Sequence, residues 1–316
     1  MQPVPLVRVI RSGVEESIHY GSVAVADADG RVVASAGDVG RVAFARSSMK
    51  PLQASVSLEL AGEEVTDREA AVMCASHNGE PVHLQAVGSL LDRAGLGLEA
   101  LQTPPSRPLD PEAARLVPEP RPELHNCSGK HAGMLLACVR RGFDPRTYLE
   151  PDHPLQEAVL EAVRRAAGRD PVSIGVDGCG VPVHALPLAS MAMLYARLAT
   201  GRVSGADGTL AAMRAEPYLV AGRDRVCTAV MVSAPGVAVK TGAEGMMCAA
   251  LPDRGLGLAL KVEDGAARAA DPAVVHALAS LGAVDPEAIP RFRRPPVLGG
   301  GRPVGHLEAI FTLDPS

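Results

Sequence analysis

At 316 residues, 47% of them hydrophobic, the chain is long enough to bury a sizeable core as one large domain or as two lobes. Its formal net charge of −5 is spread without blocks of like sign, which argues against a nucleic-acid patch or a polybasic membrane segment and leaves a small molecule as the expected partner. No apolar run approaches the ~20 residues that cross a bilayer, MQPVPLVRVIRSG lacks signal-peptide character, and the six cysteines are scattered, so cytoplasmic residence with reduced thiols is the expectation.

The segment from Gly21 to Ala36 alternates around Val23, Val25, Val32 and Val33, with turn chemistry at Asp29-Gly30, and predicts a β-hairpin. From Ser47 to about residue 215 the pattern turns helical: LQASVSLEL, LQAVGSLLDRAG, AGMLLACVRRG, PLQEAVLEAVRRAAG and LPLASMAMLYARLATG carry apolar residues at helical spacing. After Asp224 the runs VMVSA, GVAVK, MMCAAL and GLGLALKV predict strands, followed by a helix from about Pro272 to Leu281. The expected fold is an α+β arrangement in which residues 1–46 and 224–316 share one antiparallel sheet and 47–223 form an inserted, mainly helical lobe of the same enzyme domain.

Polar residues interrupt this pattern at Arg46-Ser47-Ser48-Met49-Lys50-Pro51. A helix starting near Ser47 puts residues three apart on one face, so the Ser47 hydroxyl and Lys50 amine meet, and Pro51 fits a first turn that has no intrahelical N–H bond to lose. An unprotonated lysine can take a serine proton, and burial beside another cation favours that state. Against this stands capping by Ser47 or Ser48 with a surface Lys50, the expected reading of an isolated Ser-x-x-Lys.

Two further segments weigh against the capping reading. Serine–lysine acyl transferases of the β-lactamase type add a Ser-x-Asn element and a Lys-Thr-Gly on a strand; Ser76-His77-Asn78 and Lys240-Thr241-Gly242 supply both in that order. A third cluster, His125-Asn126-Cys127-Ser128-Gly129-Lys130-His131 with Asp177-Gly178-Cys179-Gly180, matches no common zinc spacing.

Together with Glu15-Glu16-Ser17-Ile18-His19-Tyr20-Gly21 and Lys240-Thr241-Gly242-Ala243-Glu244-Gly245, these segments resemble the Rhizobium-type L-asparaginases along nearly the whole chain. The resemblance implies a serine β-lactamase/glutaminase-like fold, a homodimer, L-asparagine as substrate and two Ser-Lys tandems. The first tandem falls on Ser47 and Lys50, and the second pairs Ser76 with Lys240 or Lys261. It also implies a zinc-type site at Cys127, Lys130 and Cys179 with Asp177 beside it. Arg46, Asn78, His131 and Asp177 are the expected substrate-side groups, and either Ser47 or Ser76 is the nucleophile. Two other functions use the same residues: a penicillin-binding or β-lactamase-like acyl transferase, and a non-catalytic protein with a structural metal.

Overall fold

The computed structural model describes residues 2–315, which divide into two compact units. The first gathers residues 1–48, 185–200 and 229–316; the second gathers 49–184 and 201–228.

The first unit is built on an antiparallel sheet drawn from both ends of the chain. Its strands run in the order Pro296–Gly299, Arg302–Ala309, Val4–Arg11, Val14–Asp27, Leu256–Val262, Met246–Leu251, Ala238–Thr241. Val32–Ala36 returns from Val14–Asp27 through the Asp29-Gly30 turn, so the expected hairpin forms. Every residue of Met246–Leu251 and all but the first of Leu256–Val262 are buried, which means both faces of the central sheet are covered and explains why these strands read as continuous apolar runs. The helix Leu188–Ala199 packs on Val14–Asp27, Met246–Leu251 and Leu256–Val262, and Gly257 permits the approach because a Cβ there would lie 2.1 Å from Ala192 O. This helix comes from the middle of the chain yet belongs to the sheet unit.

Two sequence expectations change. The first four residues of VMVSA lie in a helix, Val226–Ser233, because a short, mostly apolar run carries no periodicity that separates a strand from a helix. The helix expected from Pro272 spans Ala267–Ser280 with Pro272 inside it; burial of Ala269, Ala270 and Ala273 offsets the backbone hydrogen bond that proline cannot make.

The second unit is helical, with Lys50–Ala61 at its centre against Ser128–Arg141 and Pro154–Ala167. Lys50 to Ser57 are all buried, the pattern of a helix surrounded on every side. Pro51 occupies its first turn, and Gly62, at φ 63°, closes it with an N–H to Leu58 O. Gly129 lets Ser128–Arg141 press against Asp67–Met73: a Cβ at Gly129 would meet Val72 O at 2.2 Å. Among the described residues, no helix is long and apolar enough to cross a membrane.

Candidate active site

Each unit carries part of the residue set singled out in the sequence. In the sheet unit, the strand Val42–Phe44 runs into a 3₁₀ turn, Arg46–Met49, with half-buried Ser47 as its second residue. Arg46 enters the turn at φ 51°, a left-handed conformation that costs an L-residue roughly 1 kcal/mol or more. The turn persists because it is pinned from both sides: Ser48 Oγ donates to Ala45 O at 2.5 Å, and Tyr195 Oη donates to Ser48 O at 2.5 Å.

Lys240 and Gly242 stand beside this turn. A Cβ on Gly242 would lie 3.0 Å from Ala45 O, which accounts for glycine in the Lys-Thr-Gly sequence. Lys240 is fully buried, pairs in register with Cys248 and donates from Nζ to Thr241 O at 2.8 Å. Burial pushes the Cys248 thiol up to about 12, against the opposing influence of the Ser48 hydroxyl and the Lys240 charge. Lys261 lies on another strand, opposite Ser22 and Met246, and donates to Val262 O. Burial lowers its pKa, and its charged neighbours are Glu263, Arg41, Glu244 and Asp264.

In the helical unit, the buried Lys50 Nζ donates to Ser76 Oγ at 3.1 Å, to Asn126 O at 3.3 Å and to Ala75 O. The two segments supplying these acceptors are bound to each other, since His77 N–H donates to Asn126 O at 3.2 Å. Ser76 N–H and Asn78 N–H donate to Val220 O and Ala221 O at 3.0 and 2.9 Å, which fixes Ser76 from the other side. The His77 ring ties the segment to the helix Ser128–Arg141. Its Nδ1 accepts Gly79 N–H, so Nε2 donates to Ser128 Oγ at 2.9 Å. Burial holds this imidazole well below its ordinary pKa, and the charges of His83, Lys50, His125 and Arg225 act in the same direction.

Cys127 precedes the same helix, and Lys130 and His131 lie in its first turn. Lys130 Nζ donates to Cys179 Sγ at 3.1 Å. A hydrogen bond with Cys179 draws the Cys127 thiol well below its usual pKa against the opposing effect of burial, helped by Lys50 and Lys130. Burial opposes the Lys130 charge, but the neighbouring Cys179 and Cys127 outweigh it and raise its pKa, which favours the charged amine beside the two sulfurs. Asp177 stands at its edge, with Oδ2 3.9 Å from Cys179 Sγ.

His131 is neutral, its pKa pushed down to about 4 by burial first and then by Lys130. Tyr148 Oη accepts Gln102 N–H and gives its own proton to His131 Nδ1 at 2.8 Å, and a hydrogen bond with Cys179 counters part of the depression of the ring's pKa. Sequence reasoning passed over Tyr148 because a lone tyrosine outside a motif carries no signal.

Two sulfurs and an amine are a donor set that suits a soft divalent cation by type. Among the described residues, no group of three or more His, Cys, Asp or Glu side chains is placed to hold a metal.

Asn78 is saturated on its amide side: Nδ2 donates to Arg223 O at 2.9 Å and to Glu80 Oε1 at 3.2 Å, while Oδ1 accepts from Arg225 at 3.0 Å. Glu80 is held in turn by Tyr218 Oη at 2.5 Å and by Arg223 N–H at 3.1 Å. Glu80 closes the motif Ser76-His77-Asn78-Gly79-Glu80 without a role assigned to it, and no motif marked Tyr218 or Arg225.

No curated protein matches the chain. Among solved structures it is similar to a β-lactamase from Mycobacterium bovis, at 17% identity and a TM-score of 0.47 over 84% of this chain and 95% of that one. It is likewise similar to a Bacillus glutaminase, at 13% identity and a TM-score of 0.45 over 84% and 91%. Mglu in its tris and glutamate form matches at 15% identity and a TM-score of 0.45, over 83% of this chain and 59% of that one. The family described as L-asparaginase II matches residues 7–309, and the chain belongs to that family.

Proposed function

We propose that the chain, an amide hydrolase by family, cleaves the side-chain carboxamide of L-asparagine by serine–lysine chemistry. The observation that supports this best is the 3.1 Å contact between the buried Lys50 Nζ and Ser76 Oγ. Ser47, three residues before Lys50 in the chain, attacks the amide carbon and yields its proton to the unprotonated Lys50 amine, which for this step has given up one of its three donated hydrogen bonds, with a backbone N–H near Ser47 holding the oxyanion. Lys50 passes that proton through the Ser76 hydroxyl to the departing nitrogen, which leaves as ammonia. Water then attacks the acyl ester, releases L-aspartate and restores the serine. Lys240 or Lys261 is the second lysine of the proposal; the position of Lys240 beside the turn that carries Ser47 supports Lys240. Arg46, His131 and Asp177 are assigned to the substrate side of the site.

A second reading, in which Ser76 attacks, is favoured by the same Lys50 contact. Acid-quenched turnover followed by peptide mass spectrometry separates the two, since the aspartyl adduct rides on the peptide holding Ser47 or on the one holding Ser76. Zinc belongs at Cys127, Cys179 and Lys130, where a bound cation would supply Lewis-acid polarisation; no step above runs through it. A homodimer accompanies the family resemblance, and sedimentation measures it.

The deciding assay is ammonia release from L-asparagine and L-glutamine. Release from asparagine, lost in Ser47→Ala and Lys50→Ala, supports the proposal; release from neither amide by the wild type sinks it.

A further inference from the structure

The segment from Ala221 to Arg225 is built closely around Asn78 and Glu80. Gly222 adopts φ 116°, and a Cβ there would stand 2.5 Å from Glu80 Oε1 and 2.7 Å from Asn78 Nδ2, so only glycine fits. Asp224 follows at φ 59°, an uncommon conformation for a side chain-bearing residue. The strained path delivers two arginines to different fates. Arg223 is surrounded by carboxylates: it pairs with Glu112, lies 3.8 Å from Asp110 and 3.9 Å from Glu80. Arg225, half-buried, spends one N–H on Asn78 Oδ1 at 3.0 Å and, among the described residues, pairs with no carboxylate.

Arg225 is close to the reacting groups. Asn78 is two residues from Ser76, at most about 7 Å of backbone. The buried His77 imidazole feels the charges of Lys50 and Arg225 together. A guanidinium has five donors in a planar fork suited to a carboxylate, and a half-buried one without a counter-ion leaves that demand open. Asn78, with both amide hydrogens committed to Glu80 and Arg223 O, is placed to hold the guanidinium in position.

We infer that Arg225, oriented by Asn78, is the residue that binds the α-carboxylate of the amino-acid substrate and so makes the enzyme selective for free amino-acid amides over uncharged amides. The inference rests on the asparaginase reading above.

The test compares L-asparagine with its α-methyl ester, which keeps the scissile amide and removes the negative charge. In Arg225→Gln the KM for L-asparagine should rise about 30- to 100-fold with kcat changed less than about threefold, and the preference for the free acid over the ester should collapse by the same factor. Arg225→Lys, which keeps the charge without the fork, should recover part of that preference. Calorimetric binding of L-aspartate, independent of turnover, should weaken in parallel in Arg225→Gln. Equal loss on acid and ester would mark a structural role and overturn the inference, as would unchanged discrimination. A wild type that binds L-aspartate through Arg225 but releases no ammonia would retain the carboxylate site and overturn the asparaginase reading alone; a wild type that does neither overturns both.

Discussion

Lys50 donates to Ser76 Oγ across 3.1 Å, from the first residue of a buried helix to a loop 26 residues further along the chain. Both partners are buried, and Lys50 also satisfies Ala75 O and Asn126 O. Removing the lysine therefore has two effects. Lys50→Met should lower kcat by about 10³-fold through loss of the proton carrier, and should also destabilise the fold by roughly 1–3 kcal/mol for each carbonyl left unpaired. Ser76→Ala removes only a hydroxyl, so urea denaturation should show nearly wild-type stability while ammonia release falls by 10²-fold or more. A Ser76→Ala enzyme with full activity would remove Ser76 from the reaction.

The contact of Gly129 with Val72 O carries a stability prediction. Gly129→Ala would force a methyl group to 2.2 Å from that backbone oxygen, which has no rotamer by which to yield. Overpacking of this kind costs about 1–3 kcal/mol, and the urea midpoint should fall accordingly. Because Lys130 is the next residue, the same shift should raise KM or lower kcat even where the protein stays folded.

Burial pushes the His184 pKa down from 6.5 to about 4, and its Nδ1 has no hydrogen-bond partner among the described residues. The unfolded chain thus binds a proton at a pH where the folded one does not. The associated stability is present above pH ~6.5 and is lost as pH falls toward 4, amounting to about 3 kcal/mol for this residue. Urea unfolding at pH 7 and pH 5 measures it directly. In His184→Phe the drop between those two pH values should be smaller than in wild type; an equal drop would mean that other groups carry the acid sensitivity.

The cluster of Cys127, Cys179 and Lys130 predicts metal content. Protein purified with zinc should hold about one equivalent per chain by elemental analysis, with Cys127→Ser and Cys179→Ser each losing it, because a site that draws only two sulfurs and one amine from the chain cannot spare a donor. Retention of full zinc by either variant would place the metal elsewhere.

How much of this could be read from the sequence varies with the scale of the interaction. The hairpin at Asp29-Gly30 and the strands Ala238–Thr241, Met246–Leu251 and Leu256–Val262 follow from local turn chemistry and apolar runs. VMVSA failed because a buried helix and a buried strand share that composition. At the site, the residues of fixed spacing were visible as motifs: Ser47 with Lys50, Ser76 with Asn78, Cys127 with Lys130. Their partners were not. That Lys50 bonds to Ser76, that Asn78 has spent both amide hydrogens, and that Tyr148 sets the His131 tautomer are long-range relationships, which no local spacing records. Arg225 was invisible because Arg223 and Arg225 are equivalent in sequence and differ only in the company they keep.

The sheet has a consequence for how the protein is made. Val4–Arg11 pairs on one side with Val14–Asp27 at once, but its other edge waits for Arg302–Ala309, and Val14–Asp27 waits for Leu256–Val262. At 5–20 residues per second a ribosome needs roughly 15–60 s to go on from the first hairpin to Arg302–Ala309. For that interval the opening hairpin leaves the exit tunnel with an unpaired apolar edge, an invitation to neighbouring nascent chains. Slowing translation without a holding chaperone should therefore raise the aggregated fraction of the protein, even though every element of the finished fold is unchanged.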